Sequence, residues 1–450
     1  MIDPKPIPDL SGKRSIFLNI VLLGAFLQQG YAQFSLINEP VVNRYTSITT
    51  IYTYDKNDVD SLVVESLTGI GAGDTFGEGD TVMVYCVKGA DTRTTPGEPN
   101  GDGGPLQTIT NAGKYAIAII DSVIQPGNLV ILNSSLPETN PLEEGEVAQL
   151  IRIPSYRRAE VVNELTAEPW DSVTGTGGVV ALFVQRTLRL NADIDVSGKG
   201  FLGASETEDY GGDCASVDPQ AFDSTFYKTD GPVIRAGLKG EGAGKTTFDL
   251  LRGKGKYING GGGGNGRFSG GGGGSNWSFG GRGGRESSSC DSSGIDTRGM
   301  GGFDLKRPGF YYINNDTIRG NRIFMGGGGG TGTRISGRLT TGGGDGGGIV
   351  VIIADSIVGN GHSIIADGES VDDVATGAGG GGGGGGAIVL DVGSYSSTLS
   401  LGAIGGNGGD TNYPGDTTGP GGGGGGGIYW FAGPFHPELA MELAEKAESG

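Results

Sequence analysis

Short apolar and β-branched runs, separated by turn sequences, fill the first third of the chain and predict β-strands. The clearest runs are Asp80–Val87, Lys114–Ile120, Asn128–Leu132 and Val147–Ile153. Sequences containing Pro and Gly separate them, and no stretch there keeps a helical period. We therefore expect a β-sandwich-like domain over residues 33–176.

A second pattern begins at residue 177, where a glycine pair precedes a mostly apolar strand, a turn, a shorter strand and small residues. The strands with their glycine pairs are Gly177–Val184, Gly347–Ala354, Gly385–Val392 and the start of a fourth, Gly426–Phe431. Coils of this kind bury their apolar faces by stacking on one another. The predicted fold is therefore all-β, with a β-solenoid-like or polyglycine-II-packed stack over residues 177–435.

We expect the last residues, 436–450, to be a C-terminal tail or the truncated start of a further segment. The sequence Pro437–Ala447 favours a local helix, with Pro at its start.

Glycine accounts for 94 of the 450 residues, and much of it lies in uninterrupted blocks. The blocks are Gly260–Gly264, Gly270–Gly274, Gly326–Gly330, Gly379–Gly386 and Gly421–Gly427. Glycine adds no side chain to a core and loses the most backbone freedom on folding. Two interpretations stay open: disordered loops, or extended helices with about 3 residues per turn that pack backbone against backbone. The fixed position of the blocks before apolar strands favours the second.

The N-terminus has the order of a secretory signal peptide over residues 1–32. Lys13 and Arg14 precede the apolar stretch Ser15–Leu27, and small residues at Gly30 and Ala32 suit cleavage before Gln33. The apolar stretch is short for a membrane span, and no later segment is apolar enough for one. We expect a secreted protein of the outer cell surface.

The formal net charge of −19 and a pI near 4.5 argue against a nucleic-acid partner. Basic residues nevertheless gather in one region, which is either a basic patch or a set of solvated loop charges: Arg252, Lys254, Lys256, Arg267, Arg282 and Arg285.

The surroundings of the three cysteines agree in part with those of an exported protein. Cys86 lies in an apolar run and is expected to be a buried thiol. Cys214 and Cys290 lie in polar loops rich in Gly and Ser, where an oxidising compartment favours a disulfide between them.

The sequence contains few candidate catalytic residues, and we assign none. Asp193 and Asp195 alternate along a strand and share one face. Such paired carboxylates could serve a β-helix carbohydrate-active enzyme, a lyase or hydrolase, but a solvated strand face explains the same pattern and is the favoured interpretation. Calcium is the one ion with candidate ligands, namely Asp193, Asp195 and Asp410, and no other cofactor is expected.

Aromatic residues in the glycine-rich part are the better candidates for ligand binding, because aromatic faces suit sugar rings. The candidate ligand-binding residues are Trp277, Phe279, Tyr413 and Trp430. The alternative role is to cap the stack. The loops between glycine runs that are expected to carry recognition are Asn265–Ser278, Asn360–Thr376 and Gly409–Gly419.

Several motifs together resemble a family. They are the paired glycine and strand repeats together with Gly79–Ala90, Arg152–Tyr156, Ala167–Gly178, Leu188–Gly198, Asn259–Asn265 and Asn321–Gly326. Over about residues 35–432 the chain is similar to the N-terminal region of very large secreted Bacteroidetes surface proteins, which often end in gliding-motility or type IX secretion sorting domains. No such sorting domain is seen in this sequence. The glycine blocks are also similar to phage tail-fibre tip adhesins, in which packed polyglycine helices carry recognition loops.

The resemblance implies a non-catalytic adhesin or structural module that binds glycans or cell-surface components, as part of a longer precursor or surface assembly. A passive extracellular matrix or stalk component is the remaining alternative.

Overall fold

The computed structural model describes most of the chain from residue 33 onward. The described residues are 33–52, 60–92, 106–134, 136, 141–206, 236–246, 251–285, 296–305, 322–334, 337–372, 375–412, 418–431 and 439–441. The expected signal peptide, the expected Cys214–Cys290 disulfide and Tyr413 lie outside them. So does the 436–450 tail apart from its short strand.

The described residues are all-β and contain no helix, as the sequence predicts. The strands are β1 (Ser35–Ile37), β2 (Arg44–Tyr52), β3 (Ser61–Val64), β4 (Ile70–Gly71), β5 (Thr81–Lys88), β6 (Ala90–Thr92), β7 (Leu106–Ile109), β8 (Tyr115–Ile124), β9 (Leu129–Leu132), β10 (Val147–Arg152), β11 (Ser155–Tyr156), β12 (Ala159–Val161), β13 (Val179–Leu190), β14 (Ile194–Asp195), β15 (Ile349–Val358), β16 (Ser363–Ile365), β17 (Ala387–Ser396), β18 (Leu399–Gly402), β19 (Ile428–Phe431) and β20 (Leu439–Met441).

Six strands close into an antiparallel ring in the order β10–β5–β8–β9–β3–β2, because β2 pairs again with β10. Strand β5 shows how the sequence builds this ring. Its residues Val82, Val84 and Cys86 pack in a cluster formed by the ring itself, whereas Met83 and Tyr85 pack in a cluster shared with other elements. Both faces are buried, which explains the continuous apolar run. The four strands predicted in this region are confirmed.

The thiol of Cys86 is buried, as expected. Burial and the nearby Glu146 raise its pKa to about 12, against the opposing effect of Lys114 and Arg322.

The strands that follow the glycine pairs are also confirmed, and all of them pair in parallel. The large parallel sheet has the order β1–β12–β13–β15–β17–β19, with β11 beside β13. In its register Val179, Ile349, Ala387 and Ile428, the first residue after each glycine pair, lie side by side. The small parallel sheet has the order β14–β16–β18–β20. Alternate residues of the large sheet pack toward the small sheet or toward the ring.

The helix expected at residues 437–447 is wrong for the part that the structure describes. Leu439–Met441 is strand β20 and pairs in parallel with β18. Pairing with a neighbouring strand outweighs local helix propensity there.

The large parallel sheet crosses the boundary expected at residue 176, since β1, β11 and β12 precede it. The side chain of Asn43 also ties the ring to β13. Its Nδ2 donates to the Ala181 carbonyl at 2.8 Å, and its Oδ1 accepts from the Ala181 N–H at 3.0 Å. The described residues from Ser35 onward form one compact unit.

All five glycine blocks lie among the described residues, and they are buried. Gly379–Gly386 is the clearest case, because every third N–H group donates to the same neighbouring segment. Gly379, Gly382 and Gly385 donate to residues 419–425, Gly381 and Gly384 to residues 327–330, and Gly383 and Gly386 to residues 366–369, at 2.7–2.9 Å. Carbonyl groups of the same block accept from residues 271–274, 344–347 and 406–409. Six segments therefore surround this one, with a three-residue period. We call the packed segments together the glycine bundle.

The blocks require glycine for a steric reason. None of their residues has a φ in the left-handed region, so the backbone conformation alone would admit other residues. A Cβ on Gly329, however, would lie 1.9 Å from the carbonyl oxygen of Gly381, and one on Gly421 would lie 1.8 Å from that of Gly380. Neighbouring backbones occupy the space that a side chain would need.

Candidate binding surface at the tip of the glycine bundle

One end of the glycine bundle carries connecting loops, and the opposite end leads into the parallel strands. Blocks Gly379–Gly386 and Gly421–Gly427 run side by side in the same direction, since Gly379 bonds to Gly419 and Gly385 bonds to Gly425. Each block then enters a strand of the large sheet, β17 or β19. The loop end, which we call the tip, comprises the described residues 251–253, 265–269, 284–285, 296–298, 333–334, 337–341, 375–377, 409–412 and 418–419.

Parts of all three loops expected to carry recognition meet at the tip. Gly419 donates to the Phe268 carbonyl at 2.7 Å, and Ala375 donates to the Asp410 carbonyl at 2.9 Å. The rest of two of these ranges lies elsewhere. Residues 270–276 belong to the glycine bundle, and the range Asn360–Thr376 also includes strand β16.

The tip is rich in arginine although the whole chain is acidic. Its described residues include two aspartates, Asp296 and Asp410, and no lysine or glutamate. Its six arginines are half-buried or exposed: Arg252, Arg267, Arg285, Arg298, Arg334 and Arg338. Sequence reasoning missed the last three, because they lie in separate stretches of the chain that only the fold brings to the tip.

Asp296 is tied into this group by a bidentate ion pair. Nε and Nη2 of Arg298 each donate to its carboxylate at 2.8 Å, and Arg282 approaches it at 3.3 Å. Burial would raise the pKa of Asp296, but the hydrogen bonds from Arg298 outweigh burial and lower it to about 2. This carboxylate therefore stays ionised and offsets part of the local positive charge.

The lysines of the basic region are not part of the exposed surface. Lys239, Lys254 and Lys256 are buried. Lys239 donates to the carbonyl of Gly253 at 3.0 Å and to that of Gly255, and burial lowers its pKa well below the usual range. Lys256 lies over the ring of Phe303, 3.9 Å from its centre. These lysines therefore make contacts inside the bundle, a role that the sequence alone does not reveal.

The three aromatic candidates that the structure describes, Trp277, Phe279 and Trp430, lie at the other end of the bundle from the tip. The N–H of Trp277 donates to the Gly426 carbonyl at 3.0 Å, just before strand β19. Trp430 is on β19, at the edge of the large sheet, opposite Val389. Trp430 is 47% exposed and Phe279 is 40% exposed, and Trp277 is half-buried. The structure thus brings these residues to one edge, separate from the arginines.

Asp193 and Asp195 share one face of their strand, while Ile194 and Val196 on the other face are buried. Each carboxylate has a local hydrogen bond. Asp193 Oδ1 lies 3.0 Å from His362 Nδ1 and accepts the Ser363 N–H at 2.8 Å. Asp195 Oδ1 accepts the Ser197 N–H at 2.8 Å. Both hydrogen-bond sets fix turns beside the small parallel sheet.

The third calcium candidate, Asp410, is at the tip and so lies apart from Asp193 and Asp195. Within the described ranges, no three His, Cys, Asp or Glu side chains are grouped closely enough to hold a metal ion.

Nor do these ranges contain a helix that is long and apolar enough to cross a membrane. Comparisons with family models, curated proteins and solved structures give no match to this chain.

Proposed function

We propose that this chain is a secreted, non-catalytic recognition module of the outer cell surface that binds glycans or other surface components through its tip. The observation that carries the proposal is the convergence of loops from distant parts of the sequence at one end of the glycine bundle. Loops held on a rigid scaffold are a common arrangement for binding sites.

The finer architecture belongs to the same proposal. The three-residue hydrogen-bond period and the six neighbours of Gly379–Gly386 support packing as polyglycine-II helices, which have about 3 residues per turn. The alternation of long and short parallel strands, from β13 to β20, supports a solenoid-like coil from which pairs of glycine segments project.

The signal-peptide pattern of residues 1–32 and the resemblance to Bacteroidetes surface proteins and phage tip adhesins support export and adhesion. A place in a longer precursor or surface assembly is part of the same hypothesis. The small number of histidines and the structural hydrogen bonds of Asp193 and Asp195 favour a binding role over a catalytic one.

The test is a titration of residues 33–450 against a panel of immobilised polysaccharides. Saturable binding is expected, and Leu339→Asp, which changes an exposed aliphatic side chain at the tip, should weaken it at least about fivefold. Val173→Asp is the matched control, since Val173 is 92% exposed and lies outside the tip. It should bind like the unchanged protein.

Absence of saturable binding to any surface would favour a passive stalk and contradict the proposal. Polysaccharide turnover that disappears when Asp193 and Asp195 are both changed to Asn would show an enzyme instead.

A further inference from the structure

We propose that Lys114 and Asn111 join covalently through their side chains. The product is an amide bond between Lys114 Nζ and Asn111 Cγ, which forms with release of ammonia and with the help of Glu146. The link lies at the start of strand β8 in the antiparallel ring, outside the tip. It therefore goes beyond the proposed function and does not depend on it.

A tight turn between β7 and β8 brings the two side chains together. The Lys114 N–H donates to the Asn111 carbonyl at 3.0 Å, and Gly113 supplies the positive φ of 79° that the turn requires. The first and last residues of such a turn lie within about 7 Å of each other. Across it, Lys114 Nζ donates to Asn111 Oδ1 at 3.3 Å.

This distance suits attack by the amine on the side-chain amide. Nζ lies 3.3 Å from Oδ1, and the C=O bond adds about 1.2 Å. The carbonyl carbon of Asn111 is therefore within about 4.5 Å of the amine. Because the four-carbon stem of Lys114 is flexible, bond rotations can bring Nζ to the face of the carbonyl, at the separation of about 3–3.5 Å that attack requires.

Glu146 contacts the other half of the same amide. Its Oε2 accepts a hydrogen bond from Asn111 Nδ2 at 2.8 Å. The Thr110 hydroxyl donates to Oε1, and the Glu143 N–H donates to Oε2 at 3.1 Å, so the carboxylate is held in place. A carboxylate on the nitrogen that must leave is positioned to give that nitrogen a proton.

The reaction needs no other reactant. The lone pair of Lys114 Nζ forms a bond to Cγ, and Glu146 takes a proton from the nitrogen that has become attached. Glu146 then transfers a proton to Nδ2 of Asn111, and the Cγ–Nδ2 bond breaks with its electron pair on nitrogen. Ammonia leaves, one amide replaces another, and the carboxylate is regenerated. Nothing is oxidised or reduced.

The surroundings of the turn favour this step. Asn111 is fully buried and Lys114 is 8% exposed, and the ring of Phe324 lies so close to Gly113 that an added Cβ would be 2.5 Å from it. Burial favours the neutral amine that attacks and keeps water away from the reacting amide. Arg322 donates to two backbone carbonyl groups of the same loop, and a neighbouring cation also favours a neutral amine.

The acceptor of Lys114 differs in kind from those of other buried lysines. Lys239 and Lys254 donate to backbone carbonyl groups, and Lys88 pairs with Glu241. Lys114 donates to a side-chain amide whose nitrogen is bonded to a carboxylate. An amine can convert such an acceptor into a cross-link while the backbone stays intact.

Trypsin digestion and mass spectrometry of residues 33–450 test the proposal. Trypsin cuts after lysine and arginine, and between Arg93 and Arg152 the one such residue is Lys114. A linked Lys114 has no free amino group for trypsin to recognise. We expect residues 94–152 to be recovered as one peptide, lighter than its sequence by one ammonia. Fragment ions from breaks between residues 111 and 114 should be missing, because the link closes a ring there.

Lys114→Arg and Glu146→Gln should each abolish the ammonia loss and restore cleavage after residue 114. The first removes the attacking amine, and the second removes the group that carries the proton. Lys245→Arg is the matched control. Lys245 is paired with Asp91 and Glu143, so this variant should keep both the mass loss and the resistance to cleavage.

The unchanged protein decides the proposal even where a variant fails to fold. Full sequence mass, with cleavage after Lys114, would overturn it. Ammonia loss that persists in Lys114→Arg would also overturn it, because Asn111 would then have closed onto its own backbone as a succinimide. A link that still forms in Glu146→Gln would overturn the role of Glu146.

Discussion

The antiparallel ring and the glycine bundle are two regions of one chain with different interiors: side chains fill the ring, and backbone fills the bundle. The ring has a core of side chains such as Leu62, Leu132 and Leu150, which are fully buried. The bundle interior consists largely of backbone, and its contacts are N–H to carbonyl bonds between segments far apart in sequence. The ring gains mainly from burying apolar surface, whereas the bundle gains mainly from hydrogen bonds.

The difference shows why the bundle depends on complete hydrogen bonding. Each ordered glycine costs about 0.5–1 kcal/mol more than alanine in lost freedom, and a buried hydrogen bond returns about 0.5–1.5 kcal/mol. For each residue these two free-energy contributions nearly cancel. A single buried N–H group without an acceptor would therefore remove the net stabilisation contributed by several residues. Polar side chains accordingly satisfy the segment ends. Asn276 Nδ2 contacts the Phe324, Gly385 and Gly386 carbonyls at 3.0–3.1 Å, and Thr341 Oγ1 accepts the Gly380 N–H at 2.7 Å.

The largest effect is expected from adding one methyl group inside the bundle. In Gly329→Ala the new Cβ would meet the Gly381 carbonyl oxygen at 1.9 Å, and both backbones are held by hydrogen bonds. We expect a loss of about 4 kcal/mol or more in the free energy of unfolding. Chemical denaturation monitored by circular dichroism measures it.

Gly77→Ala is the matched control, because its nearest atom is 4.0 Å away and its φ is not positive. It should change stability by less than about 1 kcal/mol. The ring should instead be sensitive to a loss of side-chain volume. Leu150→Ala, which removes atoms from its core, should lower the free energy of unfolding by about 2–5 kcal/mol. If Gly329→Ala were as mild as Gly77→Ala, the steric account of the bundle would be wrong.

A smaller effect is expected from pH, again in the bundle. Burial, together with Glu369 and Glu241, raises the pKa of Asp345 to about 6, although the Gly203 N–H and Lys199 oppose the shift. The folded state therefore binds a proton more tightly than the unfolded state, whose Asp titrates near 4. Stability due to this group is complete below pH 4 and is lost as the pH rises through 6.

Asp345→Asn should remove that loss and keep the hydrogen bond from Gly203, made at 2.6 Å. Relative to the unchanged protein, the variant should gain about 1–2 kcal/mol between pH 4 and pH 7, allowing for solvent near this half-buried group. Melting temperatures measured across this range give the comparison. Parallel curves for the two proteins would show that Asp345 does not cause the pH dependence.

Much of the fold could be predicted from the sequence because its signals are local. The apolar run Thr81–Val87 and the strands after each glycine pair are visible as composition, and the register of Val179, Ile349 and Ala387 follows their shared motif. The closure of the ring is not visible, since it depends on β2 pairing with β10 about a hundred residues away. The strand at Leu439–Met441 could not be predicted either, because its local sequence favours a helix and its partner, β18, is distant in the sequence.

The candidate site was predicted only in part. The expected recognition loops do contribute to the tip, but Arg298 and Arg334 became candidates only when the backbone bonds of Thr297 and Thr333 placed them beside Arg267. Residues that long-range backbone pairing brings together have no fixed spacing in the sequence, so no sequence motif identifies them. The aromatic candidates Trp277, Phe279 and Trp430 show the converse, because composition singled them out and the fold placed them away from the tip.

The central claim is that the glycine blocks form an ordered, hydrogen-bonded interior, and amide hydrogen exchange tests it most directly. Exchange of residues 33–450, followed by mass spectrometry or NMR, compares Gly379–Gly386 with strand β5 of the ring. We predict that the amides of the block exchange as slowly as those of Thr81–Lys88, since both segments are buried and hydrogen-bonded. Exchange of the block at the rate of an unstructured glycine peptide, while β5 remains protected, would contradict it.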